Sequence, residues 1–282
     1  MPASLHHYAM TGTLEPVFTP TTKKQRYVAL LMLGLVCVFW GSTFPLMKDA
    51  FSAIDKHVSP GDGRDDPAVF LALRFTITAL LMPLYLLLVK PRPALTRQSL
   101  VYGFWLAAVF TGSFYLQVYG LSDVQLQPSV SAFVTSLFAV FTPLVVWVWF
   151  RQRPTKLIAC AIPVALAGVV IISWTEGMTL ADFSVSTGLI LTLICAAGFA
   201  VHIVITDYTT RRNDPTLLSV IMAVYAAVAA LIVLPFVVDM PAFVAAFPTM
   251  MSDVEVLSPL LITTIFATVF AVYAWNRWQR VV

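Results

Sequence analysis

Few side chains in this sequence could do chemistry, and those few stand nearly alone in apolar surroundings. Lys48 and Asp49 close one apolar stretch and Arg74 lies near the start of the next. Gln117, His202, Asp207 and Asn276 are the other titratable or amide groups inside such stretches. A charge in hydrocarbon is costly, so residues of this kind usually face a cavity or a partner. Lys48 and Arg74 also lie near one end of their stretches, where a long side chain can reach the interface on its alkyl stem. His202 suits interhelical hydrogen bonding, a place on a permeation path, or proton handling. Asp207 stands one helical turn before Arg211 and pairs with that residue, with Arg212 or with solvent.

Chemistry of other kinds finds little support. No phosphate-binding loop, HExxH, GxSxG or paired-His pattern occurs, which argues against an ATP-driven pump with its own nucleotide site. One interior His and no acid near the middle of an apolar stretch give neither a nucleophile with its base nor converging carboxylates. No catalytic residue, metal ligand or cofactor is therefore expected. The polar segment 51–67 gathers Asp55, His57, Asp62, Gly63, Arg64, Asp65 and Asp66. Acids and a His can coordinate a divalent ion, but this spacing matches no loop of defined ligand geometry. Its Gly, Pro and mixed signs suit a solvated connector. Cys37, Cys160 and Cys195 all fall in apolar segments and read as small packing residues, not a disulfide framework.

The elements that hold these residues are apolar helices. Of 282 residues 59% are hydrophobic and 11% charged, with a mean hydropathy of +0.86. A soluble domain carries roughly a quarter of its residues charged, so this composition belongs in lipid, where outward helix faces are apolar too. The formal charge of +3 points to no nucleic-acid partner. Eight spans are expected, at about 28–48, 69–89, 99–120, 128–150, 157–174, 187–207, 216–238 and 257–277. Residues 1–27 read as a flexible cytoplasmic N-terminus. They are not a secretory signal, because Lys23, Lys24 and Arg26 come late and the apolar stretch after them has the length of a full span.

Charge sets the expected orientation. One set of connections holds Lys23, Lys24, Arg26, Lys90, Arg92, Arg97, Arg151, Arg153, Lys156, Arg211, Arg212, Arg277 and Arg280, which is 13 of the 17 basic residues. The other holds most of the acids, among them Asp55, Asp123, Glu176, Asp182, Asp239, Asp253 and Glu255. The positive-inside rule then puts both termini in the cytoplasm.

A faint internal repeat adds topology. Aligning Trp40 of the first span with Phe199 of the sixth sets Cys37 near Cys195 and Lys48 opposite Asp207. Thr111 to Gly120 resembles Ala267 to Asn276 in its aromatic placement. Copies that begin at spans one and six hold five helices each, an odd number, so they must lie in opposite orientation. Prolines 45, 83, 143, 163 and 235 interrupt the spans, as bundles around a cavity tolerate.

Several motifs resemble the EamA-type branch of the drug/metabolite transporter superfamily. Trp40-Gly41-Ser42-Thr43-Phe44 with Lys48 is similar to that family's opening signature, and Leu73-Arg74-Phe75 to its second-helix motif. Gly120-Leu121-Ser122, Ser131-Ala132-Phe133 and Phe141-Thr142-Pro143-Leu144 fit its third-to-fourth helix hairpin. Ala167-Gly168-Val169 fits the fifth helix, and Trp275-Asn276-Arg277 the eighth. The likeness covers about residues 28–280. It departs where Arg151-Gln152-Arg153 replaces the acidic residue usual after the fourth helix.

The resemblance implies ten helices in two inverted five-helix repeats and export or exchange of small metabolites through a central cavity. The expected fold is therefore an all-α integral membrane protein with about eight transmembrane helices. Residues 28–174 would form the first repeat and 187–282 a partial second repeat of three helices. The last two family helices, roughly 50–60 residues at spanning length, are expected to be lacking, and a homodimer is one way to cover the surface they would leave. The expected function is secondary transport of small organic metabolites across the cytoplasmic membrane by alternating access. The path would be lined by Trp40, Ser42, Thr43, Lys48, Arg74, Gln117, His202, Tyr273 and Asn276. Two rival readings are a truncated, non-transporting assembly partner and an intramembrane enzyme dependent on His202.

Overall fold

The computed structural model describes residues 22–58, 63, 65–88, 93–173 and 186–278, without the side chains of Leu88, Ser173, Asn276 and Arg277. Most of the expected N-terminal segment 1–27 lies outside the described residues. So do Asp62 and Arg64 of the polar connector and Lys90, Arg92, Glu176, Asp182 and Arg280 of the other connections.

Local signals fix the helix starts. Helix α1, Lys23–Asp55, opens on a reciprocal cap in which the Thr22 hydroxyl accepts the Gln25 amide and Gln25 Oε1 accepts the Thr22 amide. At 1.5 Å per residue its 33 residues span about 50 Å, well beyond a hydrocarbon core of about 30 Å. Helix α2, Asp66–Leu81, begins with Pro67 in its first turn. It breaks at Met82–Pro83 before the short α3, Leu84–Leu88. Helix α4, Arg97–Ser122, has a Thr96–Ser99 cap. The fourth expected span is divided at Leu137 into α5, Pro128–Ser136, and α6, Phe138–Phe150, which ends on Arg151 in the left-handed region with φ 59°.

Helix α7 is Lys156–Ser173. Ser186 caps α8, Thr187–Thr210, by accepting the Leu189 amide, and Asp214 caps α9, Pro215–Val237, through the Leu217 amide. Helix α10, Met240–Met250, was not foreseen, because its apolar run is too short to register as a span. The last expected span is three pieces: α11, Val254–Thr264, a π-helical segment π1, Ile265–Phe270, and α12, Ala271–Trp278.

Among the described residues, seven stretches are long and apolar enough to cross a membrane: Lys23–Asp55, Asp66–Leu87, Arg97–Ser122, Pro128–Phe150, Thr187–Thr210, Pro215–Val237 and Val254–Trp275. The expected span at 157–174 corresponds to α7, an apolar helix of 18 residues that is not among these seven. Outward-facing Leu31, Val38, Leu80, Trp105, Val148, Ile171 and Phe236 are exposed. An apolar exterior of that kind is stable only against lipid.

Packing joins distant parts of the chain. Helix α4 lies along α8 and α9, α2 along α9, and α1 along α11, π1 and α12. The α4–α8 seam is close because small residues face each other: Gly120 lies against Gly188 and Thr192, and Gly198 against Ser113. At the end of the bundle that carries most of the acids, Phe44, Met47, Phe51, Ile54, Phe70, Phe75, Leu121 and Leu260 form one buried cluster. The opposite, basic end has no comparable plug among the described residues, and there the bundle opens.

Candidate functional site

Helices α1, α2, α4, α5, α6, α8 and α9, with π1 and α12, enclose a cavity of about 1470 Å³. Its lining runs from Thr43, Arg74 and Gln117 inside the bundle to the exposed Gln152, Asp207 and Arg211 at the basic end. The cluster around Phe44 and Phe75 lies beyond its inner part.

Arg74 dominates the inner part. Only 2% of it is exposed. Its Nε and Nη2 donate to Thr268 Oγ1 at 3.1 and 2.9 Å, and its Nη1 donates to Met47 Sδ at 3.4 Å. The guanidinium carbon lies 5.2 Å from the centre of the Phe114 ring, a cation–π distance. Among the described residues no carboxylate pairs with Arg74. A buried charge without a counter-charge is strongly disfavoured unless something else solvates it.

The π1 segment supplies two of the contacts around this point. Thr268 donates its hydroxyl to the Thr263 carbonyl five residues back at 3.1 Å, which leaves its lone pairs for Arg74. Trp40 Nε1 donates to the Ala267 carbonyl at 2.9 Å. Wide-register turns of this kind free backbone groups for such use and recur at functional sites.

Around Arg74 the wall is polar and neutral, then aromatic. Gln117 Nε2 meets Thr135 Oγ1 at 3.4 Å, and Thr43 Oγ1 donates to the Trp40 carbonyl at 2.6 Å. Phe110, Phe114 and Phe199 form one aromatic cluster, with ring centres 4.7 Å apart for Phe110–Phe114 and 5.3 Å for Phe114–Phe199. Trp40 and Trp275 form another, at 5.5 Å. His202 packs its ring 5.3 Å from Phe110, and its buried Nε2 has no hydrogen-bond partner among the described residues. Among the described lining residues Asp207 is the one carboxylate. It stands at the mouth, held by Arg211 through Nε and Nη2 at 3.0 to 3.2 Å.

Of the nine residues singled out from the sequence, Trp40, Thr43, Arg74, Gln117 and His202 come together in this lining. Ser42 turns back to donate to the Phe39 carbonyl at 2.8 Å. Tyr273 is 46% exposed and stacks on Tyr85 at 5.1 Å. The side chain of Asn276 lies outside the described residues. Lys48 is at the acidic end, where its Nζ donates to the Asp123 and Leu126 carbonyls at 3.1 and 2.5 Å.

Lys48 thereby belongs to a set of ties across the acidic end. Asp123 accepts the Gly188 amide at 2.8 Å, so the turn after α4 is joined to α1 and to the start of α8. Burial acts to raise the Asp123 carboxyl. Hydrogen bonds from the Gln125 and Gly188 amides and the Ser186 hydroxyl, with the charge of Lys48, outweigh it and hold the group below its ordinary value. An ion pair from Lys56 to Glu255 at 2.6 Å and a hydrogen bond between His57 and Asp253 at 2.8 Å join the end of α1 to the start of α11. The hydrogen bond to Glu255 raises Lys56, and the hydrogen bond from His57 lowers Asp253.

Thr135, Thr268, Phe199 and Trp275 line the cavity but were not singled out as site residues from the sequence. Phe110 and Phe114 did carry a signal, since a four-residue spacing puts both on one helix face.

The comparisons with known proteins agree with this picture. Residues 27–174 match the EamA-like transporter family. A protein of Archaeoglobus fulgidus described as an uncharacterized transporter is 26% identical over 255 residues, covering 90% of this chain and 70% of that protein. A bundle of apolar helices around an internal cavity, carrying this family's sequence over more than half its length, identifies the chain as a multi-pass membrane protein that belongs to the EamA-like transporter family.

Proposed function

We propose that the chain is a secondary transporter that exports or exchanges small organic metabolites across the cytoplasmic membrane by alternating access. The observation that carries this reading is the cavity around Arg74: a ligand-sized space inside the bundle, open at one end, with a buried cation that has no counter-charge among the described residues. With the basic end in the cytoplasm, the cavity faces inward, and the ties of Lys48, Lys56, His57 and Asp123 keep the outer end shut. Outward opening then requires those ties to break.

The helix contacts support two inverted halves, 28–174 and 187–282. Counting α4, α8 and α11–α12 as spans three, six and eight, the first span lies on the eighth and the third on the sixth. Exchanging one with six and three with eight turns each pair into the other. The second and seventh spans, α2 and α9, lie on each other and exchange onto themselves. That is the symmetry expected when one half rocks against the other. With the lining carboxylate at the mouth and none beside Arg74 among the described residues, a carboxylate proton relay inside the membrane is disfavoured. Efflux down a gradient, or exchange, fits better.

Counterflow into proteoliposomes with a panel of labelled small metabolites tests the reading. Gly41 lines the cavity and a Cβ there would meet nothing within 4 Å. Gly41→Trp should therefore fill the path and abolish flux while the melting temperature stays unchanged. A folded, reconstituted protein that exchanges no member of the panel would count against transport.

A further inference from the structure

We infer that the cavity selects organic monoanions with a planar, aromatic body and rejects zwitterions and cations built on the same body. This rests on the cavity being the substrate site. The charge inventory of the lining carries the inference. Arg74 is buried, and Thr268, Met47 and the Phe114 face are its polar and aromatic contacts, so it is available to one carboxylate at the inner part of the cavity. A guanidinium offers a planar fork that matches a carboxylate, and Thr268 occupies only Nε and Nη2.

An ammonium group has no such place. The one carboxylate among the described lining residues, Asp207, is at the mouth in a bidentate contact with Arg211. A substrate ammonium held beside Arg74 would face a like charge with no anion to offset it. A second negative charge would likewise lack a partner, because the inner lining otherwise offers neutral Thr and Gln groups and His202. The ring clusters of Phe110, Phe114 and Phe199, and of Trp40 and Trp275, supply stacking surface for a flat body.

Four probes with one body isolate the charge: 3-phenylpropanoate, its neutral amide, phenylalanine and phenethylamine. Binding to the purified full chain can be followed by tryptophan fluorescence, since Trp40 and Trp275 line the cavity. The acid should bind at least tenfold tighter than the amide, phenylalanine or phenethylamine. Arg74→Gln should remove that advantage. To separate a charge effect from a folding defect, Thr268→Asp gives a second test: it keeps Arg74 but supplies a carboxylate where Thr268 Oγ1 meets the guanidinium. It should equalise acid and amide. Binding of phenylalanine equal to the acid, an acid preference that survives both variants, or no binding of the acid by the unaltered chain would each overturn the inference. Counterflow on the same samples separates it from the transport reading. Arg74-dependent acid binding without flux upholds the selectivity and removes transport, whereas flux of phenylalanine without flux of the acid does the reverse.

Discussion

Gly188→Ala should destabilise the protein through a single methyl group. Gly188 sits in the first turn of α8, where that helix crosses α4. A Cβ there would lie 2.5 Å from the Gly120 carbonyl oxygen, 2.6 Å from Asp123 Cβ and 2.9 Å from Asp123 Oδ2. Ordinary contacts of carbon are about 3.5–4.0 Å, so the helices must separate by roughly 1 Å or bend. The nearest atom belongs to the backbone, and Asp123 is held by the Gly188 amide and by Lys48, so neither neighbour yields easily. Overpacking of this kind costs about 1–3 kcal/mol. Gly112→Ala is the matched control on α4, because a Cβ there meets nothing within 4 Å. It should be neutral or gain up to about 1 kcal/mol from helix propensity. At a few degrees per kcal/mol, Gly188→Ala should melt on the order of 5 °C below Gly112→Ala in the same detergent. The Gly188 variant should also lose flux, since the α4–α8 seam carries Phe110, Phe114, Phe199 and His202 into the cavity wall. If Gly188→Ala melts at or above Gly112→Ala, the helices are not in the close contact described and the reasoning fails.

Two further outcomes follow from the polar ties. Asp123 is held below its ordinary value of 3.8, so the folded chain binds this proton less readily than the unfolded one. Its stabilisation is present above the ordinary carboxylate range and is lost as pH falls through the folded value. The melting gap between the unaltered chain and Asp123→Asn should thus narrow on acidification below pH 3.8; a gap that widens would contradict it. Trp40→Phe keeps a ring beside Trp275 but removes the donor to the Ala267 carbonyl. It should cost about 1 kcal/mol in thermal stability, and an unchanged melting temperature would mean that π1 does not depend on this bond.

How much of this was legible beforehand can be judged from individual residues. Hydropathy located every long span, because lipid demands apolar faces all round and that demand is written locally in composition. Caps at Thr22, Thr96, Ser186 and Asp214 set the starts for equally local reasons. The motif Trp40 to Phe44 also resembles the family's opening signature. Legibility failed where position depends on a partner far along the chain. Arg74 and Lys48 looked alike, as long cations near one end of their spans. Yet one is buried in the cavity against Thr268, 194 residues away, while the other holds carbonyls at the acidic end.

Sequence alone therefore determined the class of protein, the placement of its spans and the shortage of charge inside them. Those follow from the transfer of each segment into lipid, a property of neighbours in the chain. Tertiary structure decided which polar groups converge, that α11 passes into a π-helical segment where Trp40 and Arg74 dock, and which end of the bundle is closed. Those depend on how helices far apart in sequence meet, and small residues such as Gly120 and Gly188 set that meeting by the space they leave empty.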